Sequence, residues 1–446
     1  MKLKSIFGHL AMGAALALTG ASAASAETIA VTNFTLIDGR GGAAVPNSSM
    51  IITDGRIIWV GPASQARTPP DAVVVDLTGK FVTPGFIDTH IHLGNTHDLV
   101  QKEEFFTREN VEKDLSTYAA YGFTSVAIMG TDKDLIFSVR KQQRASRPTM
   151  ARLYTSGQGI VFHGGYGGVP GINTPVATPR EAAAVVDAQA AKGADYIKFW
   201  LDDELHSMPK MPPQISQAVI DAAHRNGLKA FAHIFYLEDA RRLTDQGIDG
   251  FVHSVRDADI DPALLRDMKA KGTVQVAATL SREAAMFAYG RHAPQLDDPF
   301  FRQSTSPETL RQLDSPERQK QVSSAPVFPE LPKFFERAKA NFKKLADAGL
   351  PFGAGTDSGP PGRVAGYSGH WEMELMVAAG VTPAQALHAA TGGAAKILGA
   401  QDIGTLERAK WADFVVLDAD PLQNILNTRK ISAVYIAGRR VPSVAP

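Results

Sequence analysis

GFIDTHIHL, residues 85–93, is an apolar run that closes on two histidines, His90 and His92. A β-strand sends alternate side chains to opposite faces, so two imidazoles two positions apart point the same way from the strand's C-terminal end. Alone, such a pair is better explained by hydrogen-bonded core histidines than by a metal site. Working outward, strand-like runs recur at 125–129, 153–156, 196–200, 229–233, 250–253, 274–277 and 352–356, with helical stretches between them. Eight such units in about 300 residues predict an α/β fold, a (β/α)8 TIM barrel over 81–390 with its chemistry at the C-terminal ends of the strands. The long connection at 281–338 predicts extra helices or a lid above that end.

Both flanks have a different texture. Residues 27–80 carry short strands punctuated by Asp38-Gly39, Asp54-Gly55 and Gly61-Pro62, and 391–446 carry β-rich runs at 411–417 and 431–436. This predicts one small β-sandwich domain built from both termini, with the barrel inserted into it. Ahead of it, Lys2 and Lys4, an apolar run at 10–18 and Ala24-Ser25-Ala26 form the three parts of a secretory signal peptide over 1–26. The run falls short of the roughly 20 residues of a membrane span. The expectation is therefore a periplasmic or secreted protein with no stable membrane insertion once the signal is removed.

Among the 446 residues, 46 Lys+Arg balance 46 Asp+Glu, and there is no Cys. The balance leaves no net positive field for nucleic acid. Lack of Cys excludes disulfides, a Cys nucleophile and thiolate metal sites, so a transition metal must be held by His, Asp, Glu or Lys. His233 closes the fifth predicted strand, His253 closes the sixth, and Asp357 follows the eighth in GAGTDSG. Imidazoles grouped with a carboxylate suit Zn²⁺ or a similar ion. Lys198, in YIKFW, is out of place in a buried run unless its amine snorkels to the rim, is paired or is modified. A lysine that adds CO₂ becomes a carbamate, an anion able to bridge two cations about 3.5–4 Å apart.

In this order, PGFIDTHIH, Lys198, His233, His253, Asp357 and the closing GTLERAKWADFVVLD resemble the metal-dependent amidohydrolases, in the branch of imidazolonepropionase-like enzymes and Xaa-Pro dipeptidases. The resemblance spans almost all of the chain after residue 26. It implies two divalent ions, taken as Zn²⁺: His90, His92 and Asp357 on one, His233 and His253 on the other, with carboxylated Lys198 and a hydroxide shared between them. It also implies a homo-oligomer. Two cations make hydroxide available near neutral pH and polarise the scissile carbonyl. Asp357 would accept the proton and pass it to the departing nitrogen.

His163, in QGIVFHGGYGG, and Tyr236, three residues beyond His233, are further catalytic candidates as oxyanion donors, set against roles in loop structure and packing. Relatives that cleave C-terminal dipeptides carry an Arg three residues after that Tyr; Asp239 stands here, leaving Arg241, Arg242 or Arg363 to grip a carboxylate. Trp200, Arg363, Tyr367 and His370 are substrate candidates, with His206 a weaker one. An aromatic rim of Phe162, Tyr166, Trp200, Phe235, Tyr367 and Trp371 favours an apolar or aromatic ligand. His224 and His388 read as structural. The family's Gly in the closing motif is Ala409, which concerns a turn and not the chemistry.

The expectation is thus an exported two-metal hydrolase of an amide or peptide C–N bond in a small peptide-like, N-acyl amino acid or aromatic amide substrate. One alternative on the same scaffold is a cyclic-amide hydrolase or a deaminase. A non-catalytic periplasmic binding protein is the remote alternative, opposed by the full ligand set.

Overall fold

In the computed structural model, residues 27–442 are described; the predicted signal segment, 1–26, lies outside them. Strand Thr28–Leu36 pairs antiparallel with Val45–Thr53, and that strand with Arg56–Pro62. The hairpin between the last two turns on Asp54 and Gly55, both at positive φ (50° and 80°), as the Asp-Gly signal requires. From the other end of the chain, Phe414–Leu417 lies antiparallel to Phe81–Pro84, which is parallel to Thr28–Leu36. Both termini therefore build one β unit, around Val31, Phe34, Met50, Ile52, Val82, Phe414 and Val416.

The make-up of this unit departs from expectation. Hydrogen bonds join the strands of this unit into a single eight-stranded sheet, where a sandwich was expected, and the sheet takes in Phe81–Pro84. Ala409 holds a left-handed φ of 73°, a conformation that favours glycine. That conformation costs a residue with a Cβ about 1–2 kcal/mol.

The middle of the chain is α/β. Phe86–Ile91, Phe123–Ile128 and Arg152–Thr155 form a parallel three-stranded sheet. Ile197–Trp200, Ala230–His233, Gly250–Phe251 and Val274–Gln275 follow in order in a second parallel sheet, extended at its other edge by Ile160–Phe162 and Thr174–Val176. The stretch 352–356 is no regular strand. It touches Val274–Gln275 through one bridge, Gln275 to Phe352, while Ile91 bridges to Ser358 on the far side. Close approach explains the irregularity: a Cβ at Gly353 would sit 2.4 Å from the Val276 carbonyl, and one at Gly355 2.4 Å from the Ala277 Cβ. Glycines let the segment press between its neighbours, and backbone bonds from Thr89 N–H to the Ala354 carbonyl and from Thr356 N–H to the His90 carbonyl hold it there.

The predicted insertion is helical. Pro299–Arg302, Pro307–Leu313 and Pro316–Ser323 each begin with proline behind a capping Asp298, Ser306 or Ser315 whose side chain accepts a backbone N–H. Among the described residues no helix is long and apolar enough to cross a membrane.

Candidate metal centre

His90 and His92 leave the end of Phe86–Ile91, and Asp357 arrives from the glycine-rich segment beside it. One nitrogen of each imidazole and one Asp357 oxygen lie within 4.8 Å of one another, all three residues buried. Asp357 Oδ1 is 2.8 Å from His92 Nε2 and 3.5 Å from His90 Nε2. Ring centroids continue the cluster: His90 to His253 is 4.9 Å, and His253 to His233 is 4.1 Å.

Hydrogen bonding fixes which nitrogen each ring offers. His90 Nδ1 lies 3.1 Å from the Val252 carbonyl, which can only accept, so that nitrogen carries the proton. Its Nε2, buried and without a hydrogen-bond partner among the described residues, is then a bare lone pair facing a carboxylate. His253 repeats the pattern. Thr279 Oγ1 spends its own proton on the Ala278 carbonyl and accepts from His253 Nδ1 at 2.8 Å, leaving His253 Nε2 buried and unpartnered. His233 is turned the other way: Nε2 donates to Asp202 at 3.1 Å, which leaves Nδ1 to accept. His92 Nδ1 meets Thr131 Oγ1 at 2.7 Å. Partners of this kind set the tautomer of metal-binding histidines.

Burial, the largest influence, pushes His90 and His253 well below the ordinary imidazole range and His233 down to about 4, so the rings are neutral at pH 7. Burial alone would raise Asp357, but Arg363, His90 and His92 hold it well below the usual carboxylate range. The bare Nε2 of His90 beside an ionised carboxylate, with the bare Nε2 of His253 on the adjoining ring, makes a cluster short of positive charge, and a divalent cation supplies what is missing.

Lys198 belongs to the same neighbourhood. It is 1% exposed, its Nζ has no hydrogen-bond partner among the described residues, and it lies 3.5 Å from the centroid of the Trp200 ring. Burial lowers its amine to about 7, so a large neutral fraction exists near neutral pH. A buried amine with nothing to bond is a costly feature in a structural role. Two residues at the centre, Asp357 and Thr279, also hold left-handed φ values of 54° and 55°. Strain of about 1–3 kcal/mol at each is typical of functional positions.

The family model of the amidohydrolase family matches residues 81–441. The chain belongs to the amidohydrolase family. An imidazolonepropionase of Streptomyces avermitilis is 27% identical over 417 residues, covering 89% of this chain and 87% of that protein. Among solved structures, a Xaa-Pro dipeptidase with bound methionine superposes with a TM-score of 0.74 at 21% identity, covering 93% and 99% of the two chains. Molinate hydrolase does so with a TM-score of 0.71 at 22% identity, covering 94% and 95%. This amidohydrolase is accordingly a metal-dependent hydrolase of carbon–nitrogen bonds.

Several residues predicted for the amidohydrolase site stand elsewhere. His163 is exposed in the turn after Ile160–Phe162, on the side of Glu181, with no contact to the ligands among the described residues. The Tyr236 hydroxyl donates to Asp203 at 2.8 Å, and its ring stacks on His206 at 5.1 Å, so both its polar and its flat surfaces are engaged. His370 is buried between Phe86, Phe123 and Phe300, its nitrogens on Thr428 Oγ1 and the Tyr121 carbonyl, and it is a core residue. Tyr367 packs on Phe301 at 4.9 Å and is likewise core. Arg241 is paired with Asp261 and Arg242 with Asp239.

Trp200, Tyr166 and Arg363 do line a cavity of about 100 Å³ together with His92, His233 and Asp357. A larger one of about 540 Å³ shares His92 and Arg363 with it. None of the six predicted rim aromatics lines the larger cavity. Asp202, Thr131 and Thr279, which orient the histidines, escaped the sequence reading. Each lies one or more residues past a strand end, and the only signal available was a polar side chain where an apolar strand stops.

Proposed function

We propose that this amidohydrolase is an exported two-metal enzyme that hydrolyses an amide or peptide bond in a small molecule. His90, His92 and Asp357 would hold one ion, His233 and His253 the other, with carboxylated Lys198 between them. Zn²⁺ suits this nitrogen and oxygen donor set. Such ions supply Lewis acidity, polarising a carbonyl and making water nucleophilic near neutral pH. The observation that carries the reading is the pair of buried Nε2 atoms of His90 and His253, without a hydrogen-bond partner among the described residues, both on rings whose other nitrogen is a fixed donor.

The protein's own residues do the rest. Thr131, Thr279, Asp202 and the Val252 carbonyl orient the four imidazoles. Lys198, kept partly neutral by burial, can take up CO₂ with loss of a proton. Asp357, ionised and 6% exposed, takes a proton from the attacking water and returns it to the departing nitrogen. We read the two parallel sheets as arcs of one (β/α)8 barrel, which the bonds from 352–358 to Val274–Gln275 and Phe86–Ile91 favour. Export rests on the signal-like segment 1–26.

Metal analysis of the purified protein beside a panel of N-acyl amino acids, dipeptides and aromatic amides tests the proposal. About two equivalents per chain and turnover that chelation abolishes are expected. A single equivalent with release of ammonia from a ring substrate would support the deaminase alternative, and chelator-resistant turnover would refute metal chemistry altogether.

A further inference from the structure

Thr279 stands at the N-cap of helix Leu280–Ala288, where a threonine hydroxyl ordinarily accepts one of the helix's own first N–H groups. Here it does not. Its Oγ1 donates to the Ala278 carbonyl and accepts from His253 Nδ1, and no side-chain bond runs from Thr279 into the helix it opens. Its φ of 55° is left-handed, whereas a residue that caps its own helix is typically extended. The first N–H groups of a helix have no partner inside it, and Leu280 and Ser281 are both buried, so leaving their N–H groups unmade is costly.

The acceptor comes from another helix. Glu372, in Tyr367–Ala378 and 0% exposed, takes the Leu280 N–H on Oε1 at 3.0 Å and the Ser281 N–H on Oε2 at 2.7 Å. Both of its oxygens are given to the two donors that follow Thr279. The same segment is held from the other side, because Thr279 N–H donates to the Gly355 carbonyl at 3.2 Å, two residues before Asp357. One step further into the helix, Arg282 Nε lies 3.5 Å from Asp357 Oδ2. The start of this helix therefore adjoins both halves of the ligand set, and the buried Glu372 carboxyl is what closes it.

We propose that Glu372 is a positioning residue for the metal centre: it caps helix Leu280–Ala288 in place of Thr279, and so frees the Thr279 hydroxyl to hold the His253 ring. This rests on the two-metal reading of the site and extends it to a residue with no hydrogen bond to any ligand among the described residues. Without that carboxyl, the hydroxyl is drawn to the usual capping role, and turning to it releases the ring.

Glu372→Gln keeps the size of the side chain but sets an amide NH2, which cannot accept, against one of the two N–H groups. Chelator competition on the zinc-loaded protein, resolved into its two equivalents, should show one of them held about 10–100-fold more weakly, the same one that Thr279→Val weakens. In the double variant that ion should be bound as in Thr279→Val alone, to within about twofold, since Glu372 acts through Thr279. A carboxyl that served only to stabilise the helix would leave the affinities unchanged or lower them by the same factor in both backgrounds. Denaturant unfolding of the metal-free proteins accompanies the titrations; where Glu372→Gln does not fold, Glu372→Asp, which keeps both oxygens on a shorter stem, carries the same comparison. Two equivalents in wild type with unchanged affinities in the variant, or an undiminished effect of Glu372→Gln in the Thr279→Val background, overturns the inference and leaves the metal centre standing. A wild type that binds fewer than two equivalents overturns the two-metal reading and this inference with it.

Discussion

Replacing Lys198 by methionine should stabilise the metal-free protein while destroying the metal centre. Lys198 Nζ is buried without a hydrogen-bond partner among the described residues, and burial lowers its amine from 10.5 to about 7. Converted at 1.36 kcal/mol per tenfold, that fall sets against folding roughly 5 kcal/mol at pH 7, from which the attraction of Asp357 is already deducted. Methionine has similar length and no charge to desolvate. Denaturant unfolding of chelated protein in CO₂-free buffer should show Lys198→Met more stable than wild type by roughly 3–5 kcal/mol at pH 7.

The pH dependence has a definite sign. A lysine whose folded value is depressed leaves the unfolded chain binding more protons between about 7 and 10.5, so wild-type stability climbs over that window. The penalty is complete below about 7 and gone above 10.5, and the advantage of Lys198→Met should shrink accordingly. With metal restored the order reverses: the variant loses about one equivalent and nearly all turnover. A metal-free variant no more stable than wild type, with a difference flat from pH 7 to 10, would refute the idea that this amine is held at a cost for chemistry.

Three further outcomes are expected. Asp357→Asn should lower kcat by about 10²–10⁴-fold with KM changed far less, since proton transfer and not binding is lost; equal changes in both would contradict the role. Thr279→Val removes the acceptor that fixes His253, so chelator competition should report a metal affinity weaker by about 10–100-fold, and an unchanged affinity would show that Thr279 does not hold the ring. Arg152 and Asp413 form a buried pair at 2.7 Å linking the α/β part to the terminal sheet; Asp413→Ala strands the guanidinium and should cost about 3–5 kcal/mol in unfolding, with loss under 1 kcal/mol as the contrary result.

How much could be read beforehand follows from what sequence spacing encodes. A two-residue step on a strand fixes a shared face, so the common direction of His90 and His92 is legible locally, but their role gains meaning only with His233 and His253 closing two successive strands. The segment 352–356 misled because its alternation of small and apolar residues mimics a strand, while Gly353 and Gly355 serve close packing. His370 and Tyr367 follow the last segment in sequence, yet helix Tyr367–Ala378 turns both into the core around Phe86 and Phe301. Proximity along a chain does not give direction, and His163, exposed in its turn, shows the same. Thr131, Thr279 and Asp202 act only through the ring each one touches, which no local pattern displays.

The most direct measurement is anomalous diffraction at the zinc edge from crystals of the metal-loaded protein. Two peaks are predicted, one among His90, His92 and Asp357 and the other at His233 and His253, with continuous density from Lys198 Nζ to both. A single peak, or none within bonding distance of these residues, would contradict the two-metal centre.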